Sequence, residues 1–528
     1  MKRLFSLLLS LLLVLTMTPV LAEEEFVSTY GPIADDNPTL TIWYPMEDTA
    51  APYIDTIADN IAWAEVERRL GVNIEFIQPP AANRAEMFQL MIASDDLPDI
   101  IQYQNDYVGG GVKAIEDGVF VKINDYLHLL PDYVKRMEED PSRVRDCMED
   151  DGTMYWIKNI MNRRQQSYCG MMIRGDWLED LGLEMPTTYA ELHDVLVAFK
   201  ENKTGGEAPL ELYMDGFGVC SSLIGGFGVN VDATTNDWFY WDSETQQVVC
   251  SVFQDGFKKY IETMNAWYAE GLIDPNYTTN ISSYGNTERI GSGKTGVYQG
   301  MFTQAGKYYA NTGILEEGAY FDLIPPLVEN EGDVRKFGQF RPSSVNTNGF
   351  VITTACEDIE LACKLINYFY TDEGSLLANY GLEGQTFYYG EDGKPYVNDL
   401  IKANPQMNLS GARFAHLIRN VGMYTYRDVE DDAVDEFQQK YMTVWDNTGY
   451  TDMIVKSYLS LTEDEGREFA TIMGDASTYI LEWANRFISG VTPLDQWDDF
   501  MNGLSGMGVD RATEIIAAAY GRYMARSL

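Results

Sequence analysis

The sequence predicts an α/β protein of two lobes. Three observations carry this reading. Short apolar runs alternate with capped helical patterns through the first hundred residues, the signature of a mainly parallel sheet with crossover helices. A second block of the same kind begins at Met171. No repeat, low-complexity linker or clean boundary divides the blocks, so the chain is expected to cross between lobes more than once.

Residues 1–22 read as a secretory signal. Lys2 and Arg3 form the charged start, Leu4–Leu15 the apolar run, and Val20-Leu21-Ala22 a small-residue cleavage site. The run is too short to span a bilayer, which takes about 20 residues. An acidic leader, 23–36, follows and is expected to be disordered. Thr39–Tyr44 is the first strand, Ile54–Leu70 a helix that Gly71 ends, and Val72–Ile77 a second strand. Arg84–Ser94 is helical, and Pro98–Ile101 opens a third strand. Asp151-Gly152, followed by Tyr155 and Trp156, reads as a hairpin.

The second block is the most legible part of the chain. In Met172–Phe199, Asp176 with Glu179 and Thr188 with Glu191 have the spacing of capping boxes. Gly182 suits a left-handed helix end, and Leu192, Leu196 and Phe199 recur on one helical face. Asp242–Val252 reads as a hairpin, Asp255–Glu270 as a helix, and Phe350–Thr354 as a strand. Asp358–Tyr370, Phe469–Ile488 and Arg511–Ala525 read as helices.

The 528-residue chain carries a formal charge of −43. That excludes most nucleic-acid binders, which need clustered Lys and Arg to neutralise phosphate, and it favours a soluble, self-repelling monomer. The six cysteines form no CxxC pair, which argues against a zinc or redox motif. The reading is six small buried thiols, with bridges such as Cys147–Cys169 or Cys220–Cys250 open to an exported chain. Gly291-Ser-Gly-Lys-Thr295 fails as a phosphate loop, because Glu288 stands where the first glycine is required. The three histidines are scattered, and HExxH and GxSxG are absent. Acidic pairs are too abundant in such a chain to mark a glycosidase.

The wording of Met172–Phe199 resembles the bacterial extracellular solute-binding proteins of ABC importers, in the oligosaccharide branch. Ser94–Ile101, Gly271–Pro275, Gly291–Tyr298, Ile324–Pro326, Thr354–Gly384 and Phe487–Tyr523 carry the same resemblance in the same order. It implies a two-lobed, periplasmic-binding-protein-like fold of type II. The expected lobe I comprises 37–168 plus 349–420, and lobe II 169–348 plus 421–528, hinged near Ser167–Ile173 and Val345–Phe350. It also implies an oligosaccharide ligand, membrane permease partners and no bond-making chemistry. Glu23 stands where many relatives carry a lipid-modified cysteine, so an exported, untethered form is expected. The loop Glu201–Glu207 has too few carboxylates for the calcium site of some relatives, so neither metal nor cofactor is expected. The other classes kept open are a secreted carbohydrate-active lyase or hydrolase, and a glycan-binding surface protein without a transport role.

A sugar site needs aromatic platforms and hydrogen-bonding side chains. The chain has 34 Tyr, 23 Phe and 10 Trp. Trp43 and Tyr44 end the first strand and are expected near the cleft, with one of them turned inward. By resemblance to maltodextrin-binding proteins, Tyr103 supplies a ring and Asp106 a carboxylate. Arg163, in the loop before the first crossover, would donate to hydroxyls or a ligand carboxylate. Tyr298, Phe302 and Arg341 complete the expected ligand-binding set, and Asn348, which like Arg341 sits just before the second crossover, is a further residue placed to face the cleft.

Overall fold

The computed structural model describes residues 28–164, 167–218, 221–231, 237–282, 284–335, 343–445 and 458–527. The expected signal at 1–22, Cys220 and Arg341 lie outside the described residues.

The first lobe is built on β1 (Thr39–Trp43), β2 (Asn73–Ile77), β3 (Ile100–Tyr103) and β4 (Ile157–Met161). The second holds β5 (Cys169–Arg174), the hairpin β6 (Phe239–Asp242) with β7 (Gln247–Cys250), β8 (Val297–Met301) and β9 (Phe321–Leu323). The chain then returns to the first lobe through β10 (Val345–Ile352), a small hairpin β11 (Phe387–Tyr389) with β12 (Pro395–Val397), and β13 (Tyr424–Thr425). The large sheet has the order β13-β4-β10-β3-β1-β2, and the smaller one β8-β5-β9.

Residues 421–425 therefore sit with the first sheet, whereas Tyr441 and Trp445 pack with Met172, Tyr298 and Phe321 of the second lobe. Tyr458 packs back on the first core. Helices Glu463–Ile488, Trp497–Met507 and Val509–Ala525 bury Phe469, Ile480, Phe500 and Ile516 in the second core.

Local rules placed most elements. Arg84–Ser94 forms as expected, Gly71 and Gly182 are left-handed helix ends with φ of 66° and 63°, and Thr188 with Glu191 makes a complete capping box. Four expectations are corrected. Asp176 does not cap its helix; its carboxylate is 2.6 Å from the buried Arg174 guanidinium, a stronger charge-assisted partner than a backbone N–H. The segment after Gly152 forms no hairpin, because β4 pairs instead with β10 and β13. The leader is docked from residue 28: Ser28 Oγ donates to Glu373 at 2.7 Å and the Tyr30 ring meets Tyr368. Cys169 is disulfide-bonded while Cys147, Cys250, Cys356 and Cys363 are free. The chain is thus not all thiols, and neither Cys147–Cys169 nor Cys220–Cys250 forms.

Candidate functional site

β1, β3, β4 and β13 run in one direction, and β10 runs against its neighbours β3 and β4. Four carboxyl ends and the amino end of β10 therefore gather on one edge of the large sheet. Open α/β sheets bind ligands outside such strand ends. It is also the crossover edge, since β4 leaves here for β5 and β10 enters here from the second lobe.

The expected aromatic platforms do not present open faces. Trp43, Tyr44, Tyr103, Tyr298 and Phe302 are 2%, 3%, 0%, 1% and 6% exposed. Trp43 has Phe88 on its edge and the Arg84 guanidinium 4.9 Å from its ring centre. Tyr44 lies among Trp63, Phe76 and Phe414 and donates to the Arg419 carbonyl at 2.5 Å, so both end residues of the strand are covered, not one. Tyr103 meets Trp156 edge-on at 4.9 Å. Tyr298 packs on Phe321 at 4.9 Å, and Phe302 stacks on Tyr441 at 4.2 Å. Burial raises the phenol pKa of Tyr44, Tyr103 and Tyr298 far above the usual value. Large rings are worth most when buried in a core, and a count of aromatics does not separate core rings from open ones.

The polar expectations are held in networks. Asp106 faces Arg84, with Oδ2 2.6 Å from Nη2. Arg84 Nη1 reaches Gln102 Oε1 at 2.5 Å, and Gln102 Nε2 donates to the Asn420 carbonyl at 2.6 Å. Asn420, held at φ 57°, donates through Nδ2 to Glu47 Oε1 at 2.7 Å. One continuous chain of contacts thus links the ends of β1 and β3 to the loop before β13. Arg163 pairs with Asp431, and Asp431 also accepts from Tyr441. That holds Arg163 against segment 428–441, just before the first crossover.

At the ends of β4, β10 and β13 a cavity of about 230 Å³ opens. Its wall carries the amides of Asn159, Asn346, Asn348, Asn379 and Asn420 and the guanidiniums of Arg413, Arg419 and Arg427. Asn159 is fixed by Thr425 Oγ1 at 2.8 Å, and Arg419 by Ser410 Oγ at 2.9 Å. Apart from Asn348, which the residues before the second crossover brought up, sequence reasoning missed this set. Its signal was weak, five scattered asparagines that only sheet pairing and the turn at Asn420 collect.

Across the hinge, the paired ends of β5 and β8, Cys169 and Met301, carry the half-buried rings of Tyr168 and Tyr284. Gln304 Nε2 donates to the Tyr284 carbonyl at 3.1 Å. Gln299 Oε1 accepts from Ser222 at 3.0 Å, while its buried Nε2 has no partner among the described residues. Among the described residues no group of three or more His, Cys, Asp and Glu could hold a metal ion. No helix among them is long and apolar enough to cross a membrane.

Residues 54–375 match the family described as bacterial extracellular solute-binding protein. The chain belongs to that family. One relative of this solute-binding protein is the fructooligosaccharide ABC transporter substrate-binding protein FusA of Streptococcus pneumoniae. It is 24% identical over 499 residues, covering 87% of this chain and 86% of the relative. Two solved structures share the fold. The human-milk-oligosaccharide-binding, ABC-transporter-associated protein of Bifidobacterium longum infantis has a TM-score of 0.73 at 19% identity, over 93% of this chain and 99% of the other. The alginate-binding protein AlgQ2 in its calcium-free form has a TM-score of 0.70 at 22% identity, over the same 93% and 99%. These likenesses agree with the type II, two-lobed architecture built above from the strands.

Proposed function

We propose that this solute-binding protein captures an oligosaccharide outside the cytoplasm and presents it, chemically unaltered, to the membrane permeases of an ABC importer. The observation that carries the reading is the cavity at the convergent strand ends, walled by five amides and three guanidiniums. Amides both donate and accept, which is what sugar hydroxyls require. The relatives' sugars, fructooligosaccharide for FusA and alginate for AlgQ2, support the class.

Tyr168 and Tyr284, half-buried beside Cys169 on the second lobe, are the proposed stacking rings for a sugar face. Asp106 and Arg163 act from the rim. The covered rings Trp43, Tyr44, Tyr103, Tyr298 and Phe302 support the walls from behind. The lobes divide where the sheets change, with 343–425 in the first and 167–335 with 463–525 in the second. A ligand touching both walls shifts the equilibrium toward closure by its differential affinity. Export by the amino-terminal signal and a monomeric state belong to the same proposal.

Calorimetry of the full chain against a glycan panel, with mass spectrometry of the recovered ligand, tests it. The expected result is a dissociation constant in the micromolar range, about −8 kcal/mol, with the glycan returned intact. Binding of amino acids or peptides in place of glycans overturns the ligand class. A shortened glycan overturns the receptor role and favours a carbohydrate-active enzyme.

A further inference from the structure

We propose a second saccharide site outside the cleft: the groove between the β6–β7 hairpin and the helix Val509–Ala525 takes a neutral oligosaccharide. This goes beyond the receptor reading, because the groove shares no lining residue with the cavity at the strand ends.

The first argument is shape. The groove has a volume of about 720 Å³, within the range of whole-ligand pockets, about 300–1,000 Å³. On its helical wall Asp510, Thr513, Glu514, Ala517, Gly521 and Met524 recur at the spacing of one helix face. Ala517 and Gly521 are exposed and put little bulk between helix and hairpin.

The second argument is the ring. On the hairpin wall Trp241 and Val248 are cross-strand partners and point to the same face. Trp241 is half-buried, with the half-buried ring of Tyr520 at 4.9 Å and tilted by 34°. Unlike the covered rings around the cleft, such a tryptophan keeps part of its surface for the C–H face of a sugar.

The third argument is polarity. Gln246 and Gln247 are exposed, and their amides both donate and accept, as hydroxyls do. Asp510 and Glu514 accept only, and Arg511 takes one Glu514 oxygen at 3.0 Å. Among the described residues no Lys or Arg lines the groove. Two carboxylates and no cation repel phosphates and acidic glycans, and suit a neutral ligand rich in hydroxyls.

The fourth argument concerns the backbone. An extended peptide would pair with the outer edge of β7. Ser251 N donates to the Trp238 carbonyl at 2.8 Å, so by the alternation of an antiparallel ladder Val248 and Cys250 turn their backbone groups outward. Gln254 Nε2 already donates to the Cys250 carbonyl at 3.3 Å, taking one of the acceptors that a peptide strand would need.

The test is fluorine NMR of the full chain labelled with fluorotryptophan, with Trp241→Phe identifying the Trp241 resonance. The probes are neutral tetrasaccharides of the fructan, maltodextrin, xylan and galactan types, an oligogalacturonate and a lysine-rich peptide. At least one neutral tetrasaccharide is expected to shift the Trp241 resonance saturably, and the oligogalacturonate to bind there about 10-fold more weakly or not at all. Ala517→Tyr, a change at an exposed position, should fill the groove and abolish the shift while leaving the Trp43 resonance as in the parent. No Trp241 shift with any neutral tetrasaccharide overturns the inference. So does an undiminished shift in Ala517→Tyr, an equal response to the oligogalacturonate, or a response to the peptide alone. Each of these leaves the receptor reading of the cleft standing.

Discussion

Arg526, next to the carboxyl terminus, closes on Asp150 of the first lobe, with Nε at 2.8 Å and Nη2 at 2.7 Å from the same carboxylate oxygen. The helix that delivers it, Val509–Ala525, buries Ile515 and Ile516 in the second core. Its last turn turns over to the first core: Tyr520 packs on one and Tyr523 on the other. Arg522 reaches the second Asp150 oxygen at 2.7 Å, and Tyr523 donates to Asp146 at 2.5 Å. The helix is a strap across the two lobes, beside the hinge.

Cutting the strap should destabilise the whole protein. The Arg526 side chain is 2% exposed, so Arg526→Ala strips one Asp150 oxygen and the carbonyls of Arg145 and Met148 of their donor, while Arg522 keeps the other oxygen. A loss of about 3 kcal/mol in urea unfolding is expected, the scale for breaking a buried pair. Arg467→Ala, whose pair with Glu463 is exposed, should leave the midpoint unmoved.

Arg84 should report on the rim. Its guanidinium lies over Trp43 and is clamped by Asp106. Asp106→Asn removes the charge that holds it, so Trp43 fluorescence should change in the free protein, and glycan affinity should fall about tenfold. Unchanged emission together with unchanged affinity would remove Asp106 from the rim.

Glu211 should give stability a falling slope with pH. Burial pushes its carboxyl up to about 7, against hydrogen bonds from Asn286, Thr295 and Asn280 that favour the ionised form. The folded state then holds a proton that the unfolded chain releases near 4.5. Between those values the native state binds more protons, so stability declines as pH rises from about 4.5 to about 7 and levels off above. The span corresponds to about 3 kcal/mol. Glu211→Gln cannot titrate, so its thermal midpoint should gain on that of the parent as pH rises from 5 to 8.

Gly349 should tolerate no side chain. It sits on β10 opposite Tyr103 and Lys158, and a Cβ there would overlap the Ile157 carbonyl and come within 2.5 Å of Trp156 Nε1. The obstacle is backbone, which cannot swing aside. Gly349→Ala should cost about 1–3 kcal/mol, read as a lowered unfolding midpoint, whereas Gly474→Ala, with open space around it, should not.

Much of the local structure was legible because its causes are local. Gly71 ends the helix Ile61–Leu70 as expected, although that helix starts at its Asn60 cap and not at Ile54, and Thr188 and Glu191 lie three residues apart, within reach of each other's backbone. The site was not legible to the same degree. Asp106 was found, but its clamp Arg84 lies 22 residues earlier, and Asn420, which joins the network through Gln102, lies 318 residues beyond that glutamine.

The sequence by itself determined the α/β alternation and most helix ends, since caps, periodicity and turn residues act within a few positions, and its resemblance in wording pointed to the solute-binding family. Only the tertiary structure decided which rings are covered, which carboxylates are claimed by arginines, and that scattered asparagines and arginines share one cavity. Those outcomes depend on strand order: β10 enters between β3 and β4, and β13 joins the far edge. Pairing of that kind joins residues hundreds of positions apart, where no local rule reaches.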